Sequence, residues 1–467
     1  MGWSSGRVAF FLLCGGILCF CAWIMNFLER RFKIARRGSS VRTEIVAGIT
    51  TFAAMSYILA VNPIILSSTG MDRAALVTVT GLTALIGSVF MGLYSNLPIA
   101  LAPGMGTNTY FALIICAGMG LSWQSALALT FYNGIIFFVI SIVGIREKII
   151  RAVPAPLQIG LQCGIGLFIA FMGLQHAGLV VSDPATMVSI GNMLAPKTLI
   201  AALGFIAMAC MVARGMKGAI IFTILAVTLL CMFVRGPSGE PLAAAPESVV
   251  SLPASFSQTF LALDFGYPFR DPAAALPVIF TLLLLDMFDT IGTVIALGRR
   301  TGMMNARGEM AGLGKALQVD SSCTVLGALM GTSTVTCYAE SAAGVEAGGR
   351  TGLSAAVAGL CFLGALFFAP LICSVPEVAT APALIFVGIM MMSGISKLDF
   401  SDFAQSVPAI FCMLMIMLTF SITRGFSLGI FMYVVMMSAS GRARSIGAPA
   451  WMLFAVMVAF IFGVSLR

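Results

Sequence analysis

Apolar segments of membrane-crossing length follow one another along almost the whole chain, separated by short loops. They fall at about 45–66, 74–94, 99–118, 123–144, 157–180, 198–213, 218–234, 273–297, 317–332, 333–349, 352–373, 378–395, 405–421 and 425–440. A spanning helix needs about 20 apolar residues, so such a succession commits the chain to the bilayer. The composition agrees: 60% hydrophobic and 9% charged, with a mean hydropathy of +1.04, values outside the soluble globular range. The expected fold is therefore an all-α polytopic membrane protein with about fourteen spans. A further apolar stretch, 451–464, is short for a span.

Basic residues orient the spans, because Lys and Arg concentrate in cytoplasmic loops. With the segment before residue 45 inside, nineteen of the 26 Lys and Arg fall in inside loops. Five fall outside: Arg73, Lys197, Arg235, Arg270 and Arg424. The net charge of +8 is thus spread between spans, which speaks against a nucleic-acid partner. The longest loop, 235–272, leaves seven spans on either side. Odd-numbered halves enter the membrane from opposite sides, which is the arithmetic of an inverted repeat. The chain then divides into an N-terminal extension and basic cytoplasmic segment (1–44), a first seven-span repeat (45–234), an extracytoplasmic loop (235–272), a second repeat (273–440) and a C-terminal apolar segment (441–467). The apolar run Val8–Met25 reads as a signal-like segment, an extra anchor, or sequence upstream of a start at Met25. The last is preferred, because the basic inside segment begins directly after it.

The spans carry few groups capable of chemistry. Twelve cysteines are scattered without paired metal-ligand spacing, and one histidine, His176, leaves no His-rich metal site and no Ser-His-Asp triad. Neither a metal, a cofactor nor an enzymatic activity is expected. The exception is AAALPVIFTLLLLDMFDTIGTVIAL, where Asp286 and Asp289 stand inside an otherwise uncharged span. An acid at the bilayer centre costs roughly 2.5–3.5 kcal/mol on insertion scales, so it marks a functional site by default. The i, i+3 spacing puts both on one helix face.

Two spans are poor helices in their first halves. Span three carries Pro98, Pro103, Gly104 and Gly106, so helix is expected only from about Asn108. Span ten begins GTSTVTCYAE, β-branched and polar, so helix is expected from Tyr338 or Glu340. Non-helical backbone survives at membrane depth only where protein or a cavity satisfies it. Interrupted spans at matching places in the two halves point to a substrate site. Asp286 is equally well read as an acid bonded to neighbouring helices. His176 reads as a packing or gating residue, and Glu346 and Arg350 as interfacial.

At these residues the sequence resembles a known family. APGMGTNTYF (102–111), DMFDTIGT (286–293), TSTVTCYAESAAGV (332–345) and ATAPALIFVG (379–388) are similar to the AzgA-like hypoxanthine/guanine/adenine permeases, within the nucleobase–cation symporter-2 (xanthine/uracil permease) group. The resemblance covers about residues 27–467. It implies two inverted seven-span repeats, with spans three and ten broken by short extended segments. It also implies a core domain (spans 1–4 and 8–11), a gate domain (spans 5–7 and 12–14), a homodimer in the cell (inner) membrane and an elevator-like movement. By the same resemblance, Asp289 and Glu340 serve base binding and proton coupling and Asn108 contributes to binding. Backbone near Gly106–Thr107 and Tyr338–Ala339 faces the base, and Asp286 and His176 are supporting residues. His176 stands where relatives commonly carry Asn, and the N-terminal extension has no family counterpart.

The expected function is import of purine bases, with H+ as the coupling ion. An inorganic-anion carrier of the same architecture is the alternative, disfavoured by an acid at the span-ten break. An intramembrane aspartyl protease needs one acid on each of two helices, whereas Asp286 and Asp289 share one. A pure ion channel has no better support.

Overall fold

The computed structural model describes residues 27–143, 153–184, 186–216, 218–236, 240–246, 248–301, 312–419 and 422–465. The expectations for Met1–Met25, including the alternative start, lie outside them.

Side-chain caps set the first helix starts. Ser40 accepts from the Thr43 N–H at 3.2 Å, so α1 (Val41–Met55) begins ahead of residue 45. It continues through a break at Ser56–Tyr57 into α2 (Ile58–Ser67). Asp72 accepts from the Ala75 N–H at 2.7 Å and opens α3 (Arg73–Phe90). A short strand β1 (Leu101–Pro103) leads into α4 (Met105–Thr109), which widens to π-helical geometry over Tyr110–Gly118. Helices α5 (Trp123–Val143), α6 (Ala155–His176), α7 (Pro196–Ala213) and α8 (Ala219–Phe233) follow. Between α6 and α7 lies a hairpin, β2 (Val180–Asp183) and β3 (Met187–Ile190). Asp183 holds its turn by accepting from the Thr186 N–H at 2.9 Å.

The second half also carries a strand–helix segment among long helices. A short helix α9 (Tyr267–Arg270) ends the long loop before α10 (Pro272–Thr301) and α11 (Leu313–Met330). Strand β4 (Val335–Cys337) leads into α12 (Ser341–Glu346). Then come α13 (Gly352–Ala365), α14 (Ala369–Cys373), α15 (Glu377–Met391), α16 (Phe403–Thr419), α17 (Ile422–Ala439) and α18 (Ala448–Ser465). Among the described residues eight helical stretches are long and apolar enough to cross a membrane, and three shorter apolar helices accompany them. The protein is mostly helical and polytopic, as composition requires.

The helices sort into two packed groups. In one, α13 packs on α1 and α3, and α11 packs on α5. In the other, α6 lies against α15 and α16, and α16 against α17. Glycine permits the closest of these approaches. A Cβ on Gly388 would sit 2.4 Å from the Gly166 carbonyl oxygen, and one on Gly166 2.6 Å from that of Gly388.

Strands β1 and β4 pair antiparallel, Leu101 with Cys337, Ala102 with Thr336 and Pro103 with Val335. Their surroundings obey a local two-fold relation centred on Ala102 and Thr336. The Gly104 N–H donates to Thr334 O at 2.9 Å, and the Tyr338 N–H to Ala100 O at 3.0 Å. On the outer edge of β1, the Ser88 hydroxyl from α3 bonds both Leu101 N–H and Leu101 O, at 2.9 and 3.1 Å. On the outer edge of β4, the Thr324 hydroxyl from α11 bonds both Val335 N–H and Val335 O, each at 3.2 Å. Two three-residue strands thus survive because hydroxyls from neighbouring helices satisfy the edges a wider sheet would have covered. Pro103 is tolerated at the strand end, where its carbonyl accepts from the Tyr338 hydroxyl at 2.5 Å.

Candidate functional site

The strand pair sets two helix starts against each other. Helix α4 begins at Met105, earlier than the expected Asn108. Gly104 supplies extended backbone at its N-cap, and its carbonyl accepts from the Asn108 N–H at 2.8 Å and the Thr107 hydroxyl at 3.0 Å. These bonds override the roughly 1 kcal/mol by which Gly106 disfavours a helix. Helix α12 begins at Ser341, with Glu340 at its N-cap, as the composition of span ten predicts. The strand register makes Gly106, rather than Asn108, the counterpart of Glu340.

Glu340 is part-exposed and accepts a 2.6 Å hydrogen bond from the hydroxyl of Tyr57, a buried residue at the α1–α2 break. Asp289, on α10, lies close enough to interact electrostatically with Glu340. Its side chain and Ala339 are exposed, whereas Thr107, Asn108 and Tyr338 are buried. Two acids therefore lie near one another at an accessible rim, Asp289 exposed and Glu340 part-exposed, with Ala339 exposed beside them. Gly106 is part-exposed, and a Cβ there would lie 3.0 Å from Cγ2 of Ile165 on α6, in the other helix group. A methyl group at this position would require the Ile165 side chain to give by a few tenths of an ångström.

Asn108 and Thr107 are tied to the segment before β4. Ser333 donates its hydroxyl to Asn108 Oδ1, and Thr334 donates to Thr107 Oγ1 at 2.6 Å. The Asn108 amide nitrogen is buried with no protein acceptor. Asn108 thus carries a donor left unmatched just beneath the rim.

The structure separates the other two candidates from this group. Asp286 is fully buried and turned toward α5 and α11. Its Oδ2 accepts from the Thr324 hydroxyl at 3.0 Å and the Asn133 amide at 3.5 Å. The shared face expected from i, i+3 spacing is thus divided, with one acid inward and one at the rim. His176 ends α6, where Glu377 at the start of α15 and Lys197 on α7 act on it electrostatically. Nothing brings His176 to Asp289, Glu340 or Asn108 among the described residues.

Sequence reasoning missed Tyr57, Ser333, Thr334 and Asp320. Asp320 had the same signal as Asp286, an acid inside an apolar segment, and is fully buried on α11. Ser333 and Thr334 lie in the polar start of span ten, and only Tyr57 lacks distinguishing neighbours in sequence.

A polytopic helical bundle in which a strand–helix segment sets one acid, Glu340, near a second acid, Asp289, on a long apolar helix suits a membrane transporter. The chain belongs to the permease family (Xan_ur_permease), whose model matches residues 42–428. It is 40% identical to the adenine permease AdeP of Escherichia coli, over 92% of this chain and 95% of that protein. It is likewise 40% identical to the guanine/hypoxanthine permease PbuG of Bacillus subtilis, over 92% and 99%. Its fold is similar to the transmembrane domain of a cyanobacterium bicarbonate transporter, BicA, with a TM-score of 0.62 over 83% of this chain and 97% of that one. At 15% identity that likeness concerns the fold alone. The chain is a multi-pass membrane protein and a permease, not an enzyme, and the family resemblance of its motifs holds.

Proposed function

We propose that this permease imports purine nucleobases by proton symport. The observation that carries the reading is the meeting of Asp289 and Glu340 at the accessible rim. Carboxylates accept the ring and exocyclic N–H groups of a purine, and an amide such as Asn108 offers both a donor and an acceptor. Backbone at Gly106–Thr107 and Tyr338–Ala339 would flank the base. The names of the adenine and guanine/hypoxanthine permeases support the substrate class. One of the two acids would carry the coupled proton.

The wider architecture belongs to the same proposal. Two inverted seven-span repeats, broken in spans three and ten, account for the two-fold relation around Ala102 and Thr336. Their core and gate domains would correspond to the two packed helix groups, moving past one another as an elevator within a homodimer. The contact between Gly106 and Ile165 lies where such groups would slide. An anion carrier of this fold is disfavoured by two acids at the rim.

The test is uptake of labelled adenine, guanine and hypoxanthine in permease-deficient cells, with and without a protonophore. Accumulation should require the proton gradient. Asp289→Asn and Glu340→Gln should each abolish it at normal membrane abundance. Full uptake in both variants would remove the site assignment. Unchanged accumulation after collapse of the gradient would remove proton symport.

A further inference from the structure

A second pair of acids lies behind β4, away from the rim. Asp286 and Asp320 are both fully buried. They stand on adjacent helices joined by a side-chain hydrogen bond. Asp286 and Thr290 stand four apart on α10, and Asp320 and Thr324 four apart on α11. Thr324 bonds Asp286 at 3.0 Å, whereas Thr290 bonds the Thr336 hydroxyl on β4 at 2.8 Å. Asp320 thus lies one helical turn from the residue that bonds Asp286, near enough for the two acids to interact electrostatically. Each has one oxygen employed: Asp286 Oδ2 by Thr324 and Asn133, and Asp320 Oδ1 by the Cys337 N–H at 3.1 Å. Each also has one buried oxygen without a partner, Asp286 Oδ1 and Asp320 Oδ2. Asn133, whose amide is directed at Asp286, is buried as well and leaves its own Oδ1 without a donor.

Among the described residues no positive charge compensates them. Asp289 on α10, Cys323 on α11 and Cys337 on β4 are the titratable neighbours. Helix α5 contributes only Tyr132, bonded to Phe265 O at 3.2 Å. Helix α3 contributes only Arg73, bonded to Val375 O at 2.6 Å. Removing an ion from water costs several kcal/mol even after relaxation, and two like carboxylates in one dry site do not both ionise. One proton placed between the two unpartnered oxygens removes the repulsion and gives both a partner.

We infer that Asp286 and Asp320 form a proton-binding site, distinct from the rim acids, that holds one proton between Asp286 Oδ1 and Asp320 Oδ2. The pair carries a single negative charge and locks α10 to α11 beneath β4. This inference does not depend on which solute the rim binds.

Infrared spectroscopy of the purified full-length protein at neutral pH, with and without carboxyl-13C aspartate, tests it directly. A carbonyl stretch of a protonated carboxylic acid should appear and shift with the label. It should persist in Asp289→Asn and Glu340→Gln, and vanish in both Asp286→Asn and Asp320→Asn, because the new amide donates to the remaining carboxylate. Absence of the band in the unsubstituted protein overturns the inference without recourse to any variant. So does its survival in either Asp286→Asn or Asp320→Asn, or its loss in Asp289→Asn. A bound metal cation in place of the proton would make the melting temperature fall when sodium is replaced by choline, and that result also overturns it. An unchanged melting temperature supports the proton.

Discussion

Replacing Tyr57 with Phe probes the rim with the least disturbance. The ring stays in its buried place, and only the hydroxyl that donates to Glu340 Oε1 at 2.6 Å is lost. Among the described residues no other side chain donates to Glu340. A hydrogen bond to a charged acceptor is worth about 1.5–3 kcal/mol net. At 1.4 kcal/mol per factor of ten, Tyr57→Phe should lower uptake efficiency, Vmax/KM, by about 10- to 150-fold. The assay is initial-rate uptake of labelled base across concentrations, normalised to the amount of permease in the membrane. A general packing defect would give a similar loss, so the same change is also made in a Glu340→Gln background. If Tyr57 acts through the carboxylate, the second change should matter little there, because residues in contact are not additive. Binding of the base to purified protein supplies the readout if transport is already abolished by Glu340→Gln. Full additivity of the two losses, or unchanged Vmax/KM in Tyr57→Phe, would refute the reasoning.

Other regions yield sharper tests of the fold. Ser88→Ala and Thr324→Ala each strand a buried backbone N–H and C=O, so each should destabilise by about 1–3 kcal/mol per group left unpaired. Both should lower the thermal unfolding temperature of the detergent-solubilised protein, Thr324→Ala the more because it also removes the donor to Asp286, and tolerance of either would break the two-fold relation drawn around β1 and β4. Gly388→Leu places a Cβ 2.4 Å from the Gly166 carbonyl, where backbone, not a movable side chain, must yield. Loss of the monodisperse peak in fluorescence-detected size exclusion is expected, and a normal peak would contradict the close α6–α15 contact. At the α16–α17 end, Arg442 makes two 2.7 Å hydrogen bonds to Asp402 and holds its carboxyl well below the usual carboxylate range. The stabilisation is therefore present above the unfolded value of about 3.9 and is lost as pH falls through the lower folded value. Asp402→Asn should flatten the acid-side decline in melting temperature below about pH 4; an identical decline would show that the pair contributes nothing.

What the sequence made legible is what bulk solvation enforces. Apolar length made a mostly helical, polytopic membrane chain legible, and glycine, proline and β-branched residues marked where Leu101–Pro103 and Val335–Cys337 depart from helix. The start of α12 at Ser341 could be read because everything before it resists helix. The start of α4 could not, because it depends on the Gly104 carbonyl being met by Thr107 and Asn108. The pairing of β1 with β4 was invisible for a related reason. Three-residue strands carry no periodicity, and their edges are completed by single hydroxyls from helices far away in sequence, Ser88 and Thr324.

The acids show the same limit most clearly. Asp286 and Asp289 have identical chemistry and sit one helical turn apart, and sequence gives each the same penalty for entering the bilayer. What distinguishes them is the neighbour each meets. Asp286 meets Asn133 and Thr324 and is sealed off; Asp289 meets Glu340 and remains accessible. Three residues of helix turn a side chain through about 300°, which leaves the two acids about 60° apart on the circumference. That angle is small enough for a helical wheel to merge them into one polar face. It is large enough for a helix wedged between α5, α11 and β4 to bury one acid and present the other. Charge inside a span therefore announces that a partner exists, and only the packing of the neighbouring helices decides whether that partner is protein or solute.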